Sequence, residues 1–263
     1  MEKPVRLDKF LADAGAGTRS EVKKYIQKGQ VQVNGKSVKK PELKVTKEDQ
    51  VVMNGQEIHA APEYVYYLFN KPAGCVSATE DSRDKTVLDY IEEKDRRKGL
   101  FPVGRLDKDT EGLLLITDDG QLAHELLSPA KHVNKTYFVR VEGQVTREAI
   151  QKLESGLDIG EDKLTLPAIV EIVGGSGADV TESGQGEPTG RVRVENLPEI
   201  YTELHLTIRE GKFHQVKRMM EAVGIPVIYL KRISMGPLTL PDDLKKGECR
   251  LLTEAEVAAL KQR

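Results

Sequence analysis

Gly104-Arg105-Leu106-Asp107-Lys108-Asp109-Thr110-Glu111-Gly112 runs directly into Leu113-Leu114-Leu115-Ile116-Thr117. The apolar half is short, unbroken and bounded by turn residues, which is the pattern of a strand buried on both faces. The polar half places three carboxylates, Asp107, Asp109 and Glu111, in a loop closed by glycines. Such a loop at a strand entrance can hold a carboxylate beside a pocket, and spacing alone equally allows an ordinary polar turn. Asp118-Asp119-Gly120 at the far end reads as a turn and helix cap. No suitably spaced histidine or further acid cluster supports a metal site there.

Outward from this segment, β-type runs are predicted over residues 65–69, 135–141, 204–209 and 227–230. Helical periodicity covers 121–127, 147–156 and 214–223, the last with Val216, Met219, Met220 and Val223 as its buried stripe. Strands interleaved with helices at this spacing predict an α+β domain, with a mixed or antiparallel sheet and flanking helices. Residues 174–190 hold six glycines, three acids and no basic residue. Too little apolar surface is available there to offset the entropy of ordering, so the stretch is predicted to be a mobile loop.

The first 60 residues read differently. Leu7, Phe10, Leu11 and Ala14 recur at helical spacing until Gly15 and Gly17 end the run. Thr18 and Glu21 then form a capping box for a second helix with Val22 and Ile26 inward. Val31-Gln32-Val33 before Asn34-Gly35, and Val51-Val52-Met53 before Asn54-Gly55, are hairpin signals, because both turn residues must tolerate positive φ. Residues 1–58 carry twelve Lys/Arg against eight Asp/Glu, whereas the whole chain is at −2. Between Arg19 and Lys40 seven basic residues face a single acid, Glu21. A compact basic patch on a mildly acidic body suggests a module for a polyanion. Arg19, Lys23, Lys24, Lys28 and Lys36 are the candidate contacts. His59-Ala60-Ala61-Pro62 reads as the linker, so the expected domains are 1–60 and 61–263.

Composition excludes several classes. A chain of 263 residues that is 38% hydrophobic can bury a sizeable core. Its longest apolar stretch is about seven residues, far below the ~20 of a membrane-spanning helix. The N-terminus has no apolar signal core, and the two cysteines, Cys75 and Cys249, form neither a disulfide framework nor a zinc motif. A cytoplasmic protein is expected.

Two resemblances sharpen these expectations. Residues 6–36 resemble the αL RNA-binding motif first named in a ribosomal small-subunit protein. Asn70-Lys71-Pro72-Ala73-Gly74, Gly104-Arg105-Leu106-Asp107 with Thr110-Glu111-Gly112-Leu113, Lys135-Thr136-Tyr137, and Gly211-Lys212-Phe213-His214-Gln215-Val216-Lys217-Arg218-Met219 together resemble the RsuA/RluB family of ribosomal RNA pseudouridine synthases. That resemblance spans essentially the whole chain. Residues 118–135 and 211–252 look more like the branch acting on small-subunit (16S) rRNA than the branch acting on 23S rRNA.

The resemblance implies an isomerase that detaches uracil from ribose at nitrogen and rejoins it through carbon 5. This chemistry needs neither redox change nor phosphate energy, so no cofactor and no metal are expected. Asp107 takes the role of nucleophile, a task suited to a carboxylate that can add and later leave; the atom it attacks is left open. Lys217 is its expected partner, where related synthases have arginine, and Tyr137 is expected to stack on the uracil and assist proton removal. Arg105 is the expected helper in extruding the uridine from its helix. Lys212, His214, Arg218, Lys231 and Arg232 are candidate liners of the RNA track, and His214, whose place in the motif looks structural, is not expected to be a general base. The implied partner is ribosomal RNA or a subunit assembly intermediate, met by a monomer. Two rivals stand beside this reading. One is a ribosome-associated RNA binder without catalysis; the other is a glycosidase using Asp107 with Asp109 or Glu111 as paired carboxylates.

Overall fold

A computed structural model describes residues 4–176 and 198–262. It divides into two compact units, Met1–Glu63 and Tyr64–Arg263.

In the first unit, α1 (Leu7–Asp13) and α2 (Arg19–Gln27) precede a small sheet of β2 (Val31–Val33), β3 (Lys36–Val38), β5 (Val51–Met53) and β6 (Gln56–Ile58), ordered β3-β2-β5-β6. A separate pair joins β1 (Val5–Arg6) to β4 (Lys44–Val45). Leu7, Phe10 and Leu11 of α1 meet Val22 and Ile26 of α2 over Val31, Val45 and Val51 in one core. The Thr18 hydroxyl accepts from the Glu21 amide while the Glu21 carboxylate accepts from Thr18 N–H at 2.8 Å, closing the expected capping box. Both hairpins turn through left-handed pairs, Asn34 and Gly35 at φ 50° and 75°, and Asn54 and Gly55 at 52° and 83°.

The second unit is built on a nine-stranded sheet. Its strands are β7 (Tyr66–Lys71), β8 (Phe101–Pro102), β9 (Glu111–Thr117), β10 (Lys135–Glu142), β11 (Ile169–Gly175), β12 (Tyr201–Ile208), β13 (Val227–Met235), β14 (Leu238–Thr239) and β15 (Cys249–Leu251). The main path runs β11-β12-β10-β13-β9-β7-β15, with β14 on β13 and β8 on β9. All these pairings are antiparallel except β9 with β13.

The leucine run has a direct cause. Leu113 and Leu115 enter one core with Leu122 and Leu126 of α3 (Gly120–Leu127) and Leu260 of α6 (Glu254–Lys261). Leu114 and Ile116 enter the opposite core, with Leu153 of α4 (Arg147–Ser155) and Val216, Met219 and Met220 of α5 (Gln215–Ala222). Helices therefore cover both faces, and β9 needs apolar residues at every position from Leu113 to Ile116.

Several boundaries depart from the sequence pattern. Glu111 and Gly112, predicted in the loop, are strand residues because they pair in parallel with Lys231 and Arg232. A Cβ on Gly112 would lie 2.2 Å from the Arg232 carbonyl oxygen, so only glycine permits that approach. The strand predicted at 204–209 runs instead over Tyr201–Ile208. Residue 214 is not helical; His214 stands at φ 47° as the cap of α5. Gly174 and Gly175, predicted as loop, pair with β12, and the rest of the predicted loop from 177 on lies outside the described residues. As expected, Asp119 caps α3 by accepting from Leu122 N–H at 3.0 Å.

Asp8 organises the basic face of the first unit. Its fully buried carboxylate receives two hydrogen bonds from Arg6 at 3.0 Å, one from Arg19 at 3.4 Å, and an ion pair from Lys23 at 3.8 Å. The Arg6 hydrogen bond holds its carboxyl down at about 2, against the opposing effect of burial. Because the folded value lies below the unfolded one of 3.8, the stabilisation is complete above that value and lost as pH falls through about 2. Asp8→Asn is expected to destabilise this unit by about 1–2 kcal/mol near neutrality, a discounted figure because the cationic partners are half exposed. Urea unfolding of residues 1–63 checks this, with the gap between wild type and variant closing toward acid pH.

Candidate active site

The carboxylate loop ahead of β9 is fixed from beneath. Lys71, at the end of β7 and 0% exposed, donates from Nζ to the carbonyls of Asp107 at 2.9 Å and Thr110 at 2.9 Å, and more weakly to those of Lys108 and Pro72. Thr110 N–H closes the turn on the Asp107 carbonyl at 3.1 Å, and Gly74 N–H donates to Lys108 O at 2.7 Å. On the other side Ser77 grips Leu106 twice, donating to its carbonyl at 2.9 Å and accepting from its amide at 3.0 Å. The backbone around Asp107 thus has its polar groups met by fixed partners, which sets where the carboxylate points.

That carboxylate faces a cavity of about 610 Å³ lined by Tyr137 of β10, Leu230 and Arg232 of β13, and the turn before α5. Lys217 Nζ lies 3.1 Å from Asp107 Oδ2 and 2.6 Å from Asp109 Oδ1, so one ammonium bridges two acids. Burial depresses the Lys217 pKa, but the hydrogen bonds to Asp109 and Asp107 outweigh it and the net shift is upward. Burial likewise opposes the charged form of Asp109, and the Lys217 hydrogen bond again wins, leaving Asp109 below the usual carboxylate range. Tyr137 is buried, registered between Leu206 and Arg232 of the neighbouring strands, and lines the same cavity. Asp107, Tyr137 and Lys217 therefore share one cavity, and Arg105 is exposed at its edge.

Other expected residues are placed differently. His214, a candidate liner not expected to be a general base, lines the cavity, brings Nε2 to 3.3 Å from Asp107 Oδ1 and stacks on Phe213 at 3.8 Å. Arg218 commits its guanidinium to Glu161 at 2.6 Å and to the carbonyls of Phe213 and Ile159, clamping a neighbouring loop and lying outside the cavity lining. Lys212 lines the cavity, but its Nζ is engaged by the carbonyls of Lys163 at 2.5 Å and Leu164 at 3.2 Å. Arg232 is 2% exposed and sits in the cavity wall instead of on an open track, while Lys231 is half-buried near Lys246 and Glu111. In the first unit, Arg19, Lys23, Lys24, Lys28 and Lys36 are all exposed.

The pattern of residues does not single out Lys71, Ser77 or Phe213. A lysine ending an apolar strand reads as a solvated head, and nothing in one dimension shows the carbonyls waiting for it. Phe213, 65% exposed at the rim, is detectable as an aromatic that no periodic stripe absorbs. Among the described residues no group of three or more His, Cys, Asp or Glu is placed to hold a metal ion, and no helix is long and apolar enough to cross a membrane.

A carboxylate held by an ammonium in the lining of a cavity that also holds a tyrosine suits covalent chemistry on a flat ring. Comparison with known proteins agrees. Residues 65–222 match the model of the RNA pseudouridylate synthase family, and residues 5–51 that of the S4 domain. The chain is 45% identical over 258 residues to the uncharacterized RNA pseudouridine synthase YtzG of Bacillus subtilis, covering 98% of this chain and 99% of that one. It is 36% identical to ribosomal small subunit pseudouridine synthase A of Escherichia coli, with 97% and 100% covered. Against ribosomal large subunit pseudouridine synthase B of Bacillus subtilis it is 37% identical, with 97% and 95% covered. A solved pseudouridylate synthase superposes with a TM-score of 0.60 at 33% identity, covering 97% of this chain and 99% of that chain. An S4 domain followed by this catalytic fold, with its cavity built around Asp107, places the chain in the RNA pseudouridylate synthase family.

Proposed function

We propose that this enzyme converts one uridine of 16S rRNA to pseudouridine, with Asp107 as nucleophile. The observation that carries the reading is the Asp107 carboxylate, 3.1 Å from Lys217 and lining one cavity with Tyr137. The small-subunit preference rests on the likeness of residues 118–135 and 211–252 to that branch. The comparable identity to a large-subunit enzyme makes 23S rRNA the second reading.

The target uridine leaves its stack at a cost of a few kcal/mol and enters the cavity, with Arg105 at the edge to occupy the gap or hold a flanking phosphate. Lys217 holds the Asp107 carboxylate in place through the 3.1 Å ion pair; His214 shares the same carboxylate and narrows its orientation. Asp107 adds to the nucleoside, the N1–ribose bond breaks, the ring turns and carbon 5 joins the ribose; Tyr137 covers the ring and assists loss of the carbon 5 proton, N1 takes up a proton, and Asp107 leaves as the free carboxylate. The S4 domain binds phosphates through Arg19, Lys23, Lys24, Lys28 and Lys36. The substrate is rRNA or an assembly intermediate, approached by a monomer in the cytoplasm.

Asp107→Asn keeps the shape and removes the anion, so pseudouridine formation is expected to fall below about 1% of wild type with RNA affinity little changed. Mapping carbodiimide-reactive sites in both rRNAs from cells lacking the protein identifies the subunit, and release of free uracil would mark a hydrolase instead. Lys217→Met removes the ammonium that bridges Asp107 and Asp109, so the nucleophile loses the contact that holds its orientation. The single-turnover rate is therefore expected to fall about tenfold or more, and Lys217→Arg to retain part of it. Changing Arg19, Lys24 and Lys28 together to glutamine is expected to make the log-log salt dependence of rRNA binding shallower, by about 0.7–0.9 for each phosphate no longer neutralised. An unaltered slope would remove the S4 face from the interface.

A further inference from the structure

Two cations stand in the cavity wall without counter-ions. Lys135 is 6% exposed and Arg232 2% exposed, and neither forms an ion pair among the described residues. Lys135 shares a face of β10 with Tyr137 two residues on, Arg232 is registered opposite Tyr137 on β13, and all three line the cavity with Asp107. The Lys135 ammonium, a triple donor, makes one long hydrogen bond, to Val133 O at 3.4 Å. Arg232 spends Nε on Leu113 O at 2.8 Å, and its Nη2 is buried with no partner. Glu210, the nearest acid acting on Lys135, already accepts from Leu166 N–H at 2.8 Å and Gln215 Nε2 at 2.9 Å. Burial, with Arg232 beside it, pushes the Lys135 ammonium down to about 8. Unpaired buried cations oppose folding, so their place beside a cavity calls for a ligand that answers them.

We propose that Lys135 and Arg232 form a cationic floor that binds the carbonyl oxygens of the extruded pyrimidine and stabilises the negative charge its ring acquires during isomerisation. This rests on the pyrimidine reading of the site. Residues so deeply buried are reached by the extruded base, whereas backbone phosphates remain at the mouth. Both routes open to Asp107 put electrons on the ring. If its oxygen adds to ring carbon 6, the C5–C6 double-bond pair moves onto the carbon 4 oxygen as an enolate. If it displaces at ribose carbon 1, the C1–N1 bond breaks and its pair stays in the ring, shared by N1 and both carbonyl oxygens. On the first route the C1–N1 bond then breaks, its pair going to N1; on both, carbon 5 bonds to ribose carbon 1, the carbon 5 proton is lost, N1 takes up one proton, and Asp107 leaves with the electron pair of its bond to carbon 6 or to ribose carbon 1. A fixed cation beside those oxygens acts most strongly on the charged intermediate.

Barbiturate, an anionic pyrimidine, and uracil, a neutral one, are titrated into the full-length Asp107→Asn protein, which no longer repels an anion. Barbiturate is expected to bind at least about tenfold tighter, and Lys135→Met added to that protein to erase the preference. Equal affinities, no binding of either ring, or a preference that survives Lys135→Met overturns the assignment. Displacement of barbiturate by inorganic phosphate at similar concentration also overturns it, making the floor a phosphate site.

With Asp107 intact, Lys135→Met is expected to slow single-turnover pseudouridine formation about 100-fold with RNA affinity within about threefold, and Lys135→Arg to recover part of the loss. Methionine removes an unpaired charge and keeps the volume, so the melting temperature is expected to hold or rise. A slowed Met variant with a lowered melting temperature, unrelieved by arginine, assigns Lys135 a structural role and overturns the proposal. Wild-type protein that forms no pseudouridine on either rRNA counts against the function proposed above, and the ring titrations then decide the floor by themselves.

Discussion

The Lys71 ammonium is the constraint on which the site depends. It is wholly buried, and in place of a carboxylate it is met by backbone carbonyls of the loop that carries Asp107. Burial lowers its pKa, and Cys75 and the acids Asp109, Glu111 and Asp107 act the other way. A tight turn converges several carbonyl oxygens, and such oxygens left dry cost about 1–3 kcal/mol each. One ammonium answers them and so selects the shape of the turn. The side chain of Asp107 is thereby aimed through its own main chain, which Lys71 and Thr110 hold by the carbonyl.

Above that turn the polarity is inverted. Lys217 bridges Asp107 and Asp109, and His214 approaches Asp107 from α5, so charges of opposite sign meet between β9 and α5. Cations below hold the backbone and cations beside hold the carboxylate. Two further cations in the wall face space. The site is thus a cavity with one anion near its mouth and an electropositive interior, which suits a ring that becomes negative as it reacts.

Much of this is legible in the residues, and the exceptions share one cause. The capping box at Thr18, both Asn-Gly turns, and the leucine run of β9 depend on local geometry or on burial that periodicity reports. Asp107, Tyr137 and Lys217 are reachable through motif resemblance, and the structure brings them to one cavity. Lys71, Ser77 and the wall position of Arg232 are not, because each depends on a partner distant along the chain. Gly112 shows the limit well: as a letter it reads as a loop boundary, yet it is a strand residue because the Arg232 carbonyl comes within 2.2 Å of where its side chain would be. The nearness of His214 to Asp107 is hidden for a related reason, since it depends on a left-handed backbone and on a partner 107 residues away along the chain.

The parallel pairing of β9 with β13 has a consequence in time. Arg232 reaches Leu113 across 119 residues, and α5 with its lysine and histidine lies within that interval. Long-range parallel pairing forms late because the intervening chain must first close. On the ribosome, the segment bearing Asp107 emerges well before its partners, and at about 5–20 residues per second the interval lasts many seconds. A nascent chain therefore already carries its S4 domain and nucleophile while lacking the wall that makes them an enzyme. The site is complete only once β13, Val227–Met235, has been made and has paired with β9.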